Sequence, residues 1–166
     1  MDDICIYFDN ITVSSPCAVP HFSVWGTIYL KVNNRCFPDC YWDDCLDLLV
    51  PMWLTELDSL LELNRSGCVL DFCDGPYQLA IYCIGDQRLK IECIERFTDH
   101  SETQIVAYTS LDSFLRQILA FADTVLQQCD KYVGNFRFTA KSKGMYASLD
   151  RLKRYVHTFT NEDNGS

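Results

Sequence analysis

Hydrophobic positions along this chain follow two rhythms, and the places where one gives way to the other mark out the elements. The run Ile4-Cys5-Ile6-Tyr7-Phe8 is apolar and rich in strand formers, and it stops at Asp9-Asn10, which predicts a first strand. Over residues 22–32, Val24, Gly26, Ile28 and Leu30 alternate with Trp25, Thr27, Tyr29 and Lys31. Both sets are largely apolar, so this second strand is expected at the centre of a sheet. Asn33-Asn34 supplies a turn, and the period then changes. Trp42, Leu46, Leu49, Trp53, Leu54, Leu57, Leu60 and Leu61 recur at three- and four-residue steps, which predicts a long helix within residues 36–63. Pro38 and Asp39 suit its start, and Asp39, Asp43, Asp44 and Asp47 crowd the end where the helix dipole favours negative charge. Pro51 predicts a kink or a division into two helices, and Asn64-Arg65-Ser66-Gly67 predicts a stop.

Residues 68–72, 77–84 and 88–97 follow as short strands separated by the turns Cys73-Asp74-Gly75-Pro76 and Gly85-Asp86-Gln87, and residues 104–109 add another. Leu89, Ile91 and Cys93 alternate with Lys90 and Glu92, the signature of a half-buried strand. Connections this short predict an antiparallel meander. Ser110 is expected to cap a helix to about residue 132 whose core-facing stripe includes Phe114, Leu115, Ile118, Ala122 and Val125. Gly134-Asn135 ends it, residues 136–139 are poorly patterned, and Ser148 is expected to cap a last helix carrying Leu149, Leu152, Tyr155, Val156 and Phe159. Two strands, a helix, four strands and two helices predict an α+β fold, with a mostly antiparallel sheet of five to six strands and long helices packed on one face. No repeat or linker interrupts the pattern, so residues 1–160 are expected to form a single α+β domain, with residues 161–166 as a polar C-terminal tail.

Composition sharpens this picture in three ways. A chain of 166 residues buries roughly 70% of its unfolded surface, so one ordinary core suffices without covalent staples. The first residues are acidic, the apolar run behind them is too short for a signal sequence, and no stretch approaches the roughly 20 apolar residues of a membrane helix. A cytoplasmic protein with no membrane partner is expected. The ten cysteines then read mostly as free, buried and inert thiols serving as small core side chains, as at Cys5, Cys68, Cys83, Cys93 and Cys129. Finally, the net charge of −9 is concentrated in residues 1–130, whereas residues 131–166 are net basic. An acidic body repels phosphate backbones, so direct nucleic-acid binding is not expected, and it favours rapid encounter with a basic protein.

Catalytic patterns are sparse. The C-x3-C-x4-C spacing of Cys36, Cys40 and Cys45 misses the paired knuckles of structural zinc sites, so no metal is expected there. The histidines, His21, His100 and His157, fall in loops or on a helix flank without an acid or nucleophile arranged beside them, and no G-x-S-x-G elbow or phosphate-binding glycine loop occurs. The acidic set Asp39, Asp43, Asp44 and Asp47 reads first as a solvated helix start, with Asp43 and Asp47 sharing a face; carboxylates beside Tyr41 and Trp42 also suit docking of a basic partner. The basic segment with Arg137, Lys141, Lys143, Arg151, Lys153 and Arg154 reads as a solvated helix face paired with the acidic body.

Two fragments carry a resemblance. Trp25-Gly26 is followed by Cys36-Phe37-Pro38-Asp39, Trp42, Asp44, Trp53-Leu54 and Leu57, and then by Phe72, Asp74-Gly75-Pro76 and Tyr77. Over residues 24–97, about half the chain, this order and spacing resembles small acidic bacterial immunity proteins of polymorphic and contact-dependent toxin systems. The resemblance implies a toxin-neutralising protein, not an enzyme, that needs no cofactor and blocks a cognate protein toxin domain. Phe37-Pro38 and Trp42 at a helix start, and Asp74-Gly75-Pro76 at a β-turn, read as scaffold. The expected partner is basic and nuclease-type, and the expected contacts are Asp39, Tyr41, Asp43, Asp44 and Asp47. The alternative is a small cysteine-containing enzyme or metal-binding protein, which stoichiometric zinc would favour.

Overall fold

In the computed structural model, which describes residues 2–14, 23–85, 87–133 and 140–162, strand β1 (Ile4–Ser14) pairs antiparallel with β2 (Ser23–Val32). The polar pair Asp9-Asn10 does not end β1. The register shifts between Asp9 and Thr12, and Asn10 takes φ 52°, a left-handed conformation that asparagine tolerates better than most residues. β2 is central, as its pattern predicts. Its second edge is shared by β3 (Arg35–Phe37), paired with Leu30 to Val32, and β4 (Asp43–Cys45), paired with Trp25 to Thr27. A Cβ on Gly26 would lie 2.8 Å from Leu46 Cδ1, 3.1 Å from the Asp9 carbonyl oxygen and 3.2 Å from Ile11 Cα, so a larger residue would crowd β2 where it passes the β1 bulge.

The helix expected within residues 36–63 is therefore shorter. Helix α1 spans Leu46–Glu62, and the eleven residues before it supply β3, a turn containing the cis Phe37-Pro38 bond, and β4. Proline biases the residue before it away from helical geometry, and the open edge of β2 offers backbone partners that a helix would leave unused. Asp43 and Asp47 consequently do not share a helix face. Pro51 stands inside α1 without dividing it.

The meander appears as expected: β5 (Gly67–Asp71), β6 (Tyr77–Cys83), β7 (Arg88–Arg96) and β8 (Ser101–Ser110) pair antiparallel in sequence order. The result is two four-stranded antiparallel sheets, not one sheet of five to six strands. Helix α2 (Leu111–Val133) packs against β1. Its Gln117 accepts from the Ile6 amide at 2.8 Å and donates to the Ile4 carbonyl at 3.1 Å, taking up edge groups of β1 with a side chain. Gln117→Ala is expected to cost about 1–2 kcal/mol and to promote self-association through β1. Denaturant titration and sedimentation check this, and an unchanged midpoint would show that water replaces the amide without loss.

Ser110 caps α2 as predicted, its Oγ accepting from the Ser113 amide at 3.1 Å. Helix α3 spans Ala140–Glu162, so Ser148 is an interior residue and not a cap, and the helix takes in residues 161–162 of the expected tail. Gly134-Asn135, residues 136–139 and residues 163–166 lie outside the described residues. Helices α1 and α2 each touch both sheets and α3 packs on both helices, so the helices serve two sheets instead of one face of a single sheet. One hydrophobic cluster joins them, with Ile28, Leu49, Trp53, Leu79, Ile91, Phe114 and Leu149 among its members.

Buried Ser148 donates to Asp58 Oδ2 at 3.0 Å, and Arg151 Nε lies 2.9 Å from both Asp58 oxygens, tying α3 to α1. Burial opposes the Asp58 charge, but Arg151 and Ser148 outweigh it and hold the carboxyl below its ordinary value of 3.8. A depressed folded value stabilises above the unfolded value and loses that contribution as pH falls through the folded one. Asp58→Asn is thus expected to be less stable than the parent at pH 7, with the gap closing only below about pH 4. Urea midpoints at neutral and acid pH check it; a gap undiminished in acid would mean the pair acts by packing.

Candidate partner-binding face

The outward residues of β1 and β2 build an aromatic surface. Tyr7 stands opposite Tyr29 in register, and their rings stack with centroids 5.2 Å apart. Lys31 Nζ lies 5.7 Å from the Tyr7 ring centre. Tyr29 in turn meets the edge of Tyr41 at 6.2 Å. Beyond it, Trp25 and Tyr41 flank an open groove of about 570 Å³ whose lining includes Asn10, Thr12, Thr27 and Asp43. Tyr41 is 77% exposed and Trp25 43% exposed, although each ring carries a large apolar area.

The segment that presents Tyr41 is held from several sides. Cys36 and Cys40 form a disulfide, the Trp42 amide donates to the Asp39 carbonyl at 3.2 Å, and the Ile28 amide donates to the Trp42 carbonyl at 2.7 Å. Tyr41 itself takes φ 68°, the left-handed region that costs a residue with a Cβ roughly 1–2 kcal/mol. Neighbouring Trp42 packs its ring against Tyr77 at 5.0 Å, whereas Tyr41 is left in solvent.

The structure divides the five expected contact residues. Asp39, Tyr41 and Asp43 are exposed, and Asp43 Oδ1 accepts from the Thr27 hydroxyl at 2.8 Å. Asp44 and Asp47 are buried, and each accepts from a backbone amide elsewhere in the fold. Asp44 accepts from the Cys45 amide at 2.6 Å and the Cys73 amide at 3.0 Å, fastening β4 to the β5–β6 turn. Burial pushes its carboxyl up, against the downward pull of those amides and that of Asp74. Asp47 accepts from the Val24 amide at 2.9 Å and the Cys45 thiol at 3.2 Å, fastening the start of α1 to β2. These two carboxylates are framework: the pairing of β4 with β2 turns Asp44 inward, and Asp47 sits in the first turn of α1 against β2. Trp25, Tyr7 and Tyr29 enter the site without having been expected; the two-residue alternation of β1 and β2 carried the signal, since it sets Tyr7, Trp25 and Tyr29 on one face.

The fragments behind the resemblance converge. Phe37 meets Phe72 at 6.0 Å and Tyr77 at 5.6 Å, and Trp53 meets Phe72 at 5.4 Å. Gly75, at φ 71°, leaves room for the Trp42 and Tyr77 rings, which a Cβ would meet at 3.1 and 2.8 Å. Both motifs are scaffold that locks the β3–β4 turn to the β5–β6 turn.

Cysteine and histidine chemistry is muted. The Cys36–Cys40 disulfide corrects the expectation for that pair, while Cys5, Cys45, Cys68, Cys73, Cys83 and Cys93 carry free thiols. Cys83 is exposed, and burial pushes Cys45 up to about 11 and Cys68, Cys73 and Cys93 to about 12, so these thiols stay protonated at neutral pH. Among the described residues no group of three or more His, Cys, Asp or Glu side chains is placed to hold a metal ion. His100, contrary to expectation, does have an acid beside it: Asp99 Oδ1 lies 2.7 Å from Nδ1, with Phe97 stacked on the ring, at an exposed position. His21 lies outside the described residues. In the basic segment, Arg151 pairs with Asp58 and Lys153 with Asp123 at 2.7 Å, so part of that charge is neutralised within the fold.

No family model, curated protein or solved structure matches this chain. Among the described residues no helix is long and apolar enough to cross a membrane.

Proposed function

We propose that this chain is a stoichiometric inhibitor, an immunity protein that neutralises a basic, nuclease-type toxin domain by covering it with the β1–β2 face. The observation that carries this reading is Tyr41, an exposed aromatic in strained backbone, held by a disulfide and two strands beside exposed Asp39 and Asp43. Aromatic anchors on rigid frames lose little entropy on binding and dominate interface energies. The net charge of −9 adds long-range attraction for a cationic partner. A surface of this kind supports recognition more readily than bond chemistry, since its groups are an aromatic strip and carboxylates without an activated nucleophile.

The test is to express the chain with each neighbouring open reading frame and recover complexes. An equimolar, basic partner that is toxic alone and harmless in the complex is the expected result. Its association rate should fall at least about tenfold between low and high salt as screening removes the steering. If no neighbour is toxic, or if rates are equal at both salts, the reading fails.

A further inference from the structure

We infer that the groove between Trp25 and Tyr41 above Asp43 receives a guanidinium group, an arginine side chain presented by the protein partner. This deepens the binding reading above and rests on it for the identity of the partner, though not for the chemistry of the groove. Three features of the groove converge on that occupant. Two exposed aromatic rings, Trp25 and Tyr41, flank it, and aromatic faces attract cations, tryptophan most strongly. Asp43 lines it with a carboxylate that has no cationic partner among the described residues. One Asp43 oxygen takes the Thr27 hydroxyl at 2.8 Å, which fixes the side chain and leaves the other oxygen as an acceptor.

The same features favour arginine over lysine. A guanidinium is planar, more weakly hydrated than an ammonium, and able to stack on an aromatic face while its edge donates to a carboxylate. A groove of about 570 Å³ accommodates the whole side chain and not only its tip. Asn10, set at the β1 bulge with φ 52°, and Thr12 add polar groups to the lining. Lys31 on the same face lies over the Tyr7 ring and forms no ion pair with Asp43 among the described residues.

The experiment uses the full chain, labelled with ¹⁵N, and needs no partner. Nα-acetyl-arginine amide is titrated while the indole N–H resonances are followed, with the lysine and citrulline analogues in parallel. Citrulline keeps the shape of arginine and removes its charge. The expected result is a saturable shift of the Trp25 indole in the millimolar range with the arginine probe. The shift should be several-fold weaker with the lysine probe and absent with citrulline. The Trp53 indole, which donates to the Asp71 carbonyl at 2.7 Å in the core, should not move. Asp43→Asn keeps an acceptor for Thr27 and should abolish the Trp25 shift; Trp25→Phe, read at backbone amides of residues 26–28, gives a second arm should the first variant unfold. Equal shifts with citrulline, equal shifts with lysine, or an unchanged response in Asp43→Asn would each overturn the assignment. A chain that binds the arginine probe yet captures no toxic neighbour keeps the groove and loses the toxin reading. A captured toxin with a silent groove does the reverse.

Discussion

Asp44→Ala is expected to lower the unfolding free energy by about 3 kcal/mol, because it leaves two part-buried backbone donors unpaired at roughly 1–3 kcal/mol each. Those donors are the amides of Cys45 and Cys73, on opposite sides of the junction between β4 and the β5–β6 turn. The carboxylate is fully buried, so water cannot take its place without opening the aromatic contacts of Trp42 and Tyr77. The loss falls short of the two donors' upper sum because the charge is itself disfavoured: burial pushes the Asp44 carboxyl up. The sign of its pH dependence is opposite to that of Asp58. A raised folded value means the native state holds its proton more tightly, so this contribution is present below the unfolded value of 3.8 and is lost as pH rises through the raised one. Asparagine is not expected to rescue the site, since its amide NH₂ would face one of the two N–H donors. Guanidinium denaturation of the parent and both variants checks the claim. A loss under about 1 kcal/mol would place Asp44 among ordinary substitutions and remove its role as the fastener.

Tyr41→Gly is expected to separate stability from binding. Glycine accepts φ 68° without penalty, so the variant should be more stable than Tyr41→Ala by about 1 kcal/mol, the strain that any Cβ retains there. Both variants should lose partner affinity alike, by about 30-fold or more, the effect of removing a central aromatic anchor worth ~2 kcal/mol. Paired measurements of thermal midpoint and dissociation constant decide it. Equal stability of the two variants would show that the backbone relaxes around alanine. Undiminished affinity would move the interface away from the β1–β2 face.

The segment from Cys36 to Cys45 explains where reading from sequence failed and why. Trp42 and Leu46 stand four apart, and Asp39, Asp43 and Asp47 repeat the same interval, so local periodicity favoured a helix. The competing claim came from β2, whose second edge had backbone groups to satisfy and found them in β3 and β4. Nothing local records that edge. The same blindness affected Asp44 and Asp47, which count as surface charges by composition and became framework once β4 paired and α1 packed its first turn on β2. Ser148 is a further instance: its place in the last helix looked like a cap until Asp58, ninety positions earlier, supplied a buried partner.

What the sequence determined by itself is the set of elements whose partners lie close along the chain. Alternation in β7, the short turns of the meander, the apolar stripe of α2 and its Ser110 cap are local regularities, and each stands in the structure where the pattern put it. The acidic balance is likewise a property of the residues alone. Only the tertiary structure decided that there are two sheets, which carboxylates are buried, and which aromatic rings reach solvent. Those outcomes depend on contacts between residues far apart in sequence, where burial and backbone pairing outweigh local propensity. The candidate groove belongs to that second kind: Asn10, Trp25 and Tyr41 come from three separate segments, and only the pairing of β1, β2 and β4 brings them together.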